Sequence, residues 1–76
     1  MSHDNSPEAV ARRRLQAEID RIVAEAAING CSLLTAKHAT RLFAAYPGAH
    51  WSIRRITDEL IATAAVAKVP VEISRE

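Results

Sequence analysis

The sequence has little of what builds cross-linked, phosphate-cradling or membrane-spanning proteins. Its 76 residues include one cysteine, two glycines and three aromatic side chains. One cysteine excludes an intramolecular disulfide, and two glycines are too few for a glycine-rich phosphate loop. No apolar run approaches the roughly 18 residues of a membrane span, and the polar start MSHDNSPE is unlike a signal peptide. These absences predict a single cytoplasmic domain with no membrane partner.

Large apolar side chains are also scarce. Apolar residues make up 49% of the chain and the net charge is +1. This composition excludes a chain that is disordered over its whole length. Fifteen of them are alanine, which buries little surface. Chains of this length seldom gain more than about 3–5 kcal/mol from a single core. We therefore expect a homodimer, or another protein partner, to supply further burial.

The first periodic segment predicts a helix over about 7–28. Ser6 is a suitable N-cap, Pro7 fits the first helical position, and Gly30 is a typical stop. At a rise of about 1.5 Å per residue this helix is longer than the two that follow. The part that extends beyond them would carry Val10 and Leu15. Its predicted buried stripe is Leu15, Ile19, Ile22, Val23 and Ala26.

Two shorter helices follow, over about 36–46 and 53–67. Thr35 is the predicted cap of the second helix, and Ser52 that of the third. Trp51 and Ile56 have the spacing of a hydrophobic staple. The predicted buried positions are Ala39, Leu42, Phe43 and Tyr46 on the second helix, and Ile53, Ile56, Leu60, Ile61, Ala64 and Ala67 on the third.

Two segments have the pattern of short strands, 31–34 and 69–73, of which the second alternates with period two. A lone strand is unstable, so the two pair within one chain or between two copies. Pro70 donates no ladder hydrogen bond, which places its strand at an edge. The predicted fold is mainly α, with three helices and a minor two-stranded element in one domain, 6–76, behind a disordered tail, 1–5.

The second half of the chain resembles small alphaproteobacterial proteins of unknown function. The resemblance covers residues 35–73 and is carried by Tyr46-Pro47-Gly48, by Asp58-Glu59-Leu60-Ile61 and by Val69-Pro70-Val71-Glu72-Ile73. It implies no activity. Abundant alanine, with eight arginines against two lysines, is also typical of a GC-rich bacterial gene.

The charge distribution supplies the main functional hint. No acidic residue lies between Glu25 and Asp58, a stretch that holds Lys37, Arg41, Arg54 and Arg55. The order of elements is similar to the first part of winged-helix DNA-binding domains. The chain departs from them because it ends where the second wing strand begins, and because its 46–53 connection exceeds their tight turn. Arg54 and Arg55 also have carboxylates four residues on, a spacing that forms ion pairs.

Catalytic and metal-binding patterns are weak. Cys31 and His38 are the one conceivable nucleophile–base pair, and Asp58 and Glu59 point about 100° apart on a helix. Cys31, His38 and His50 match no common zinc spacing, and Cys31 is expected to be a small buried residue. We therefore predict no catalytic residue, no metal, no cofactor and no small-molecule substrate.

The sequence favours a non-enzymatic module for protein interaction or dimerisation. The alternative is a truncated winged-helix-like domain that binds nucleic acid through the basic segment 37–55. Aromatic and arginine side chains dominate the binding energy of protein interfaces, so Trp51 beside two arginines suits the first hypothesis. The expected contact residues under either hypothesis are Lys37, Arg41, Trp51, Arg54 and Arg55.

Overall fold

A computed structural model describes residues 6–72 and confirms the mainly α fold. Its elements are α1 (Pro7–Asn29), β1 (Leu33–Leu34), α2 (Thr35–Ala45), a 3₁₀ turn (Pro47–Ala49), α3 (Ile53–Ala67) and β2 (Val71–Glu72). The predicted disordered tail, 1–5, and the last residue of the predicted second strand, Ile73, lie outside the described residues.

Helix α1 begins and ends as its sequence predicts. The Ser6 hydroxyl accepts a hydrogen bond from the Ala9 N–H at 3.1 Å, and Pro7 is the first helical residue. Gly30 adopts the left-handed conformation at φ 67°, in which glycine carries no Cβ penalty. The cap and the stop together fix the register of the apolar stripe, so that Leu15, Ile19 and Val23 face the core.

The predicted capping role of Thr35 is wrong. Thr35 is the first residue of α2, and Leu34 occupies the cap position without a side-chain hydrogen bond. The Thr35 side chain is fully buried, and its hydroxyl donates to the carbonyl oxygen of Glu72 at 3.4 Å. The hydroxyl therefore ties the start of α2 to β2, because a buried donor requires a partner.

The two strands pair within one chain and run parallel. Leu33 is opposite Val71 and Leu34 is opposite Glu72, so both strands are shorter than the predicted 31–34 and 69–73. The Leu33 N–H donates to the carbonyl of Pro70 at 2.8 Å. Pro70 lacks an N–H but still contributes its acceptor, which explains how proline is accommodated beside this pair.

The core lies where α1, α3 and the inner face of α2 meet. Every helix contributes buried side chains, and the strands, turns and connections add Leu33, Ala49 and Val69. Three predicted core positions are wrong. Phe43 remains 45% exposed, Ile53 is 42% exposed, and Ala67 is also exposed. Phe43 is rotated about 100° from the buried Leu42, while Ile53 and Ala67 lie at the two ends of α3, where little packs over them.

The 3₁₀ turn is the element that sequence patterning missed. Ala49 is fully buried, and its carbonyl accepts a hydrogen bond from Arg12 Nε at 3.2 Å. Leu15, which the sequence placed on an uncovered overhang, is fully buried in a single chain. Its burial therefore requires no second copy. The turn packs on the same helix.

Cys31 is exposed, contrary to the prediction that it is a small buried residue. It lies in the connection between the Gly30 cap and β1, and from this segment Leu33 enters the core instead. The Cys31 thiol donates a weak hydrogen bond to the carbonyl oxygen of Asn29 at 3.7 Å.

Candidate binding site

An open cleft lies at the start of α3 and is lined by basic and aromatic side chains. We call it the basic cleft; it has a volume of about 420 Å³ and is formed by Arg12, His50, Trp51, Ser52 and Arg55. These residues come from α1, from the connection 50–52 between the 3₁₀ turn and α3, and from the first turn of α3. The cleft therefore depends on the tertiary packing of three elements.

Arg55 is held in place by two neighbours. Its guanidinium lies 4.4 Å from the centre of the Trp51 ring, and its Nε donates to Glu59 at 3.4 Å. An arginine over an aromatic face contributes about 0.5–1 kcal/mol at an exposed site. The stack fixes the plane of the guanidinium beside the cleft, so less side-chain freedom is lost when it binds a ligand.

Trp51 takes part in both the cleft and the core. It is partly buried and packs against the core cluster one residue before Ser52, whose hydroxyl accepts from the Arg55 N–H at 3.1 Å. Ile56, its predicted staple partner, is almost fully buried. The predicted Ser52 cap is confirmed and lies next to the aromatic wall of the cleft.

Arg12 is the cleft residue that sequence reasoning missed. On its own helix it pairs with Glu8 at 2.6 Å, a four-residue spacing that is typical of a solvated face. Its bond to Ala49, which is 37 residues distant along the chain, turns it toward the cleft. No local sequence signal reports such a contact, since the 3₁₀ turn that receives it was also missed.

The predicted contact residues do not form one surface. Trp51 and Arg55 line the basic cleft, whereas Arg54 is rotated about 100° from Arg55 on the helix and lines none of the cleft. Within residues 6–72, Arg54 has no ion pair, although Asp58 lies at the predicted spacing. Lys37 and Arg41 belong to α2, on which Arg41 lines a different groove.

This second groove runs between α1, β1 and α2 and has a volume of about 290 Å³. Glu18, Arg21 and Glu25 lie on its α1 side, where Arg21 pairs with both carboxylates. Arg41 thus faces a groove of mixed charge. The acid-free stretch of sequence is not an acid-free surface, because α1 supplies the carboxylates that the stretch lacks.

Cys31 and His38 both line the second groove, but their arrangement lacks the features of a nucleophile–base pair. Across residues 6–72 no hydrogen bond joins them, and the thiol donates to Asn29 instead. The Nδ1 atom of His38 is buried without a hydrogen-bond partner. Burial, and then the positive charges of Arg41 and Lys37, lower the pKa of His38 from its ordinary value.

Residues 6–72 contain no cluster of three or more histidine, cysteine, aspartate or glutamate side chains able to hold an ion. The helices described also include none with the length and hydropathy needed to cross a bilayer.

The lowered pKa of His38 predicts a loss of stability on mild acidification. The unfolded chain takes up a proton near pH 6.5 and the folded chain only at lower pH, so stability falls as the pH drops below about 6.5. We expect the melting temperature of the parent to fall between about pH 7.5 and 5.5, a range above carboxylate titration. In His38→Leu, which has no imidazole to protonate, the fall should be smaller.

Thermal melts at the two pH values check this prediction, with His50→Asn as the control because it removes an exposed imidazole and tolerates the left-handed backbone at that position. Equal pH dependence in the parent and in His38→Leu would contradict it.

Comparison of the chain with protein-family models, with curated proteins and with solved structures finds no match. The fold and the cleft are therefore the grounds for a functional proposal. They define a small helical protein with a parallel pair of two-residue strands and a basic, aromatic cleft at one end.

Proposed function

We propose that this protein is a non-enzymatic interaction module that binds an acidic segment of a partner protein in the basic cleft. The observation that carries the proposal is the Trp51–Arg55 stack, which places the one tryptophan of the chain beside an oriented guanidinium. Tryptophan and arginine are the residues most enriched among binding hot spots. A carboxylate suits the guanidinium groups of Arg12 and Arg55, because each presents several donors in one plane.

The positions of the charges support an acidic partner. Arg12 on α1 and Arg55 on α3 both line the cleft, and each has one intramolecular carboxylate, Glu8 and Glu59 respectively. All four side chains are substantially exposed, and such surface pairs are worth about 0–1 kcal/mol. A ligand carboxylate therefore competes with them at little energetic cost.

Nucleic acid is the second candidate ligand. Its support is the set of cations without an ion pair among residues 6–72, which includes Lys37, Arg41 and Arg54. The separation of Arg41 from the basic cleft disfavours this candidate, because proteins bind a duplex through cations that cluster on one face of the protein. Self-association is a third outcome, since the expected homodimer is a special case of a protein partner.

A titration with an acidic peptide of alternating glutamate and serine tests the proposal, with Trp51 fluorescence as the signal. We expect saturable binding at about 50 mM salt that weakens at about 300 mM, because added salt screens the ion pairs. Arg12→Gln and Arg55→Gln should each weaken binding about tenfold, as the loss of one charged hydrogen bond does. Arg41→Gln is the matched control and should bind like the parent.

Two further measurements separate the alternatives. Duplex DNA that binds more tightly than the peptide, and loses affinity in Arg41→Gln and Arg54→Gln, would replace the proposal with the nucleic-acid function. Light scattering at tens of micromolar protein reports whether a second copy is itself the partner. Absence of peptide binding at low salt would overturn the proposed function.

A further inference from the structure

A third groove lies beside the basic cleft and differs from it in chemistry. We call it the apolar groove; its volume is about 440 Å³, and it lies between the start of α1 and the link from α2 to the 3₁₀ turn. Its lining is mostly apolar and includes Val10, Ala11, Tyr46 and Pro47, with Arg14 as its single charged residue.

The two grooves flank the same 3₁₀ turn. Helix α1 contributes Ala11 to the apolar groove and Arg12 to the basic cleft, and consecutive helical residues point about 100° apart. The turn contributes Pro47 to the apolar groove, and His50 at its end to the basic cleft. Three residues of 3₁₀ helix rise only about 6 Å. An extended segment of about four residues reaches about 13–14 Å, which is long enough to cross the turn and enter both.

We propose that the partner segment carries an apolar anchor about four residues from its acidic residues, and that this anchor occupies the apolar groove. This inference rests on the proposed function, since the acidic part of the same segment occupies the basic cleft. Charge complementarity identifies the occupant. Arg14, an exposed residue of the lining, has no ion pair within residues 6–72, and Arg12 and Arg55 line the neighbouring cleft.

The composition of the groove favours an aliphatic or aromatic anchor. Val10, Ala11 and Tyr46 are partly buried, so each presents some apolar surface to the groove while being supported from beneath. An anchor that fills such a depression, with polar contacts around it, is the usual centre of a protein interface. A segment with acidic residues alone would leave the apolar surface of this groove exposed to water.

The test compares two acidic peptides of alternating glutamate and serine, identical except that one has a leucine about four residues from its acidic block and the other a serine there. With the parent protein at about 50 mM salt, the leucine peptide should bind about tenfold more tightly, as burial of one such side chain does. Val10→Gln should remove the advantage of leucine while leaving the affinity for the serine peptide unchanged.

Val66→Gln is the matched control, because Val66 is an 85% exposed valine on α3 outside both grooves. It should leave both affinities unchanged. Equal affinity for the two peptides would overturn the anchor while the proposed function stands. Failure of both peptides to bind would overturn the proposed function and the anchor with it. Displacement of the leucine peptide by duplex DNA from the apolar groove would also contradict a protein occupant.

Discussion

Replacing Ile56 with alanine is expected to lower the free energy of unfolding by about 2–4 kcal/mol, as truncation of a buried aliphatic side chain does. Ile56 is 1% exposed and belongs to the cluster at which α1 and α3 meet. The neighbouring helices are joined by short connections, so they can move only slightly to fill the cavity that the truncation leaves. In a domain of this size such a loss is a large fraction of the total stability.

Ile53→Ala provides the matched control. It removes the same atoms from the same helix one turn earlier, but Ile53 is 42% exposed, and the expected loss is below about 1 kcal/mol. Urea unfolding of the parent and both variants measures the difference. Similar losses for the two variants would show that the buried face of α3 is assigned incorrectly. If Ile56→Ala does not fold, Ile56→Val should still be less stable than the parent by about 0.5–1.5 kcal/mol.

Enlarging Ala49 to leucine is expected to cost about 1–3 kcal/mol through overpacking. Ala49 is fully buried where the 3₁₀ turn packs on α1, and its carbonyl accepts the bond from Arg12. A larger side chain there pushes the turn off the helix. We therefore expect the same variant to lose affinity for the acidic peptide, since His50 moves with the turn and Arg12 loses the carbonyl that orients it.

Ala44→Leu makes the same enlargement at an exposed position of α2, and we expect a stability change within about 0.5 kcal/mol. Thermal melts and peptide titrations of both variants check the prediction. An Ala49→Leu protein that is as stable as the parent would contradict the docking of the 3₁₀ turn on α1.

The fold followed from the sequence wherever a local rule applied. Ser6, Gly30 and Ser52 cap or stop their helices as residues of their type usually do. Thr35 does not cap its helix, because its hydroxyl donates to the carbonyl of Glu72, a residue far away in the sequence. Phe43 and Ile53 fit the apolar periodicity, but they lie at the edges of the apolar faces of their helices. Spacing alone does not show whether a neighbouring element covers such a position.

The candidate site was only half predictable. Trp51 and Arg55 were found because a staple and a basic first turn coincide at the start of α3. Arg12 and the apolar groove were not found, because both depend on the 3₁₀ turn, a non-helical segment with no periodicity. The homodimer, expected from the shortage of large apolar side chains and from the overhang of α1, stays a prediction; the burial of Leu15 within one chain removes the overhang from its support.

Nuclear magnetic resonance mapping of the acidic peptide tests the central claim most directly. Addition of the peptide to the labelled protein at about 50 mM salt, where ion pairs are weakly screened, should shift the Trp51 indole N–H and the backbone amides of His50 and Arg55. The amides of Lys37 and Arg41 should stay in place. Shifts confined to α2, or no shifts at saturating peptide, would contradict a protein-binding role for the basic cleft.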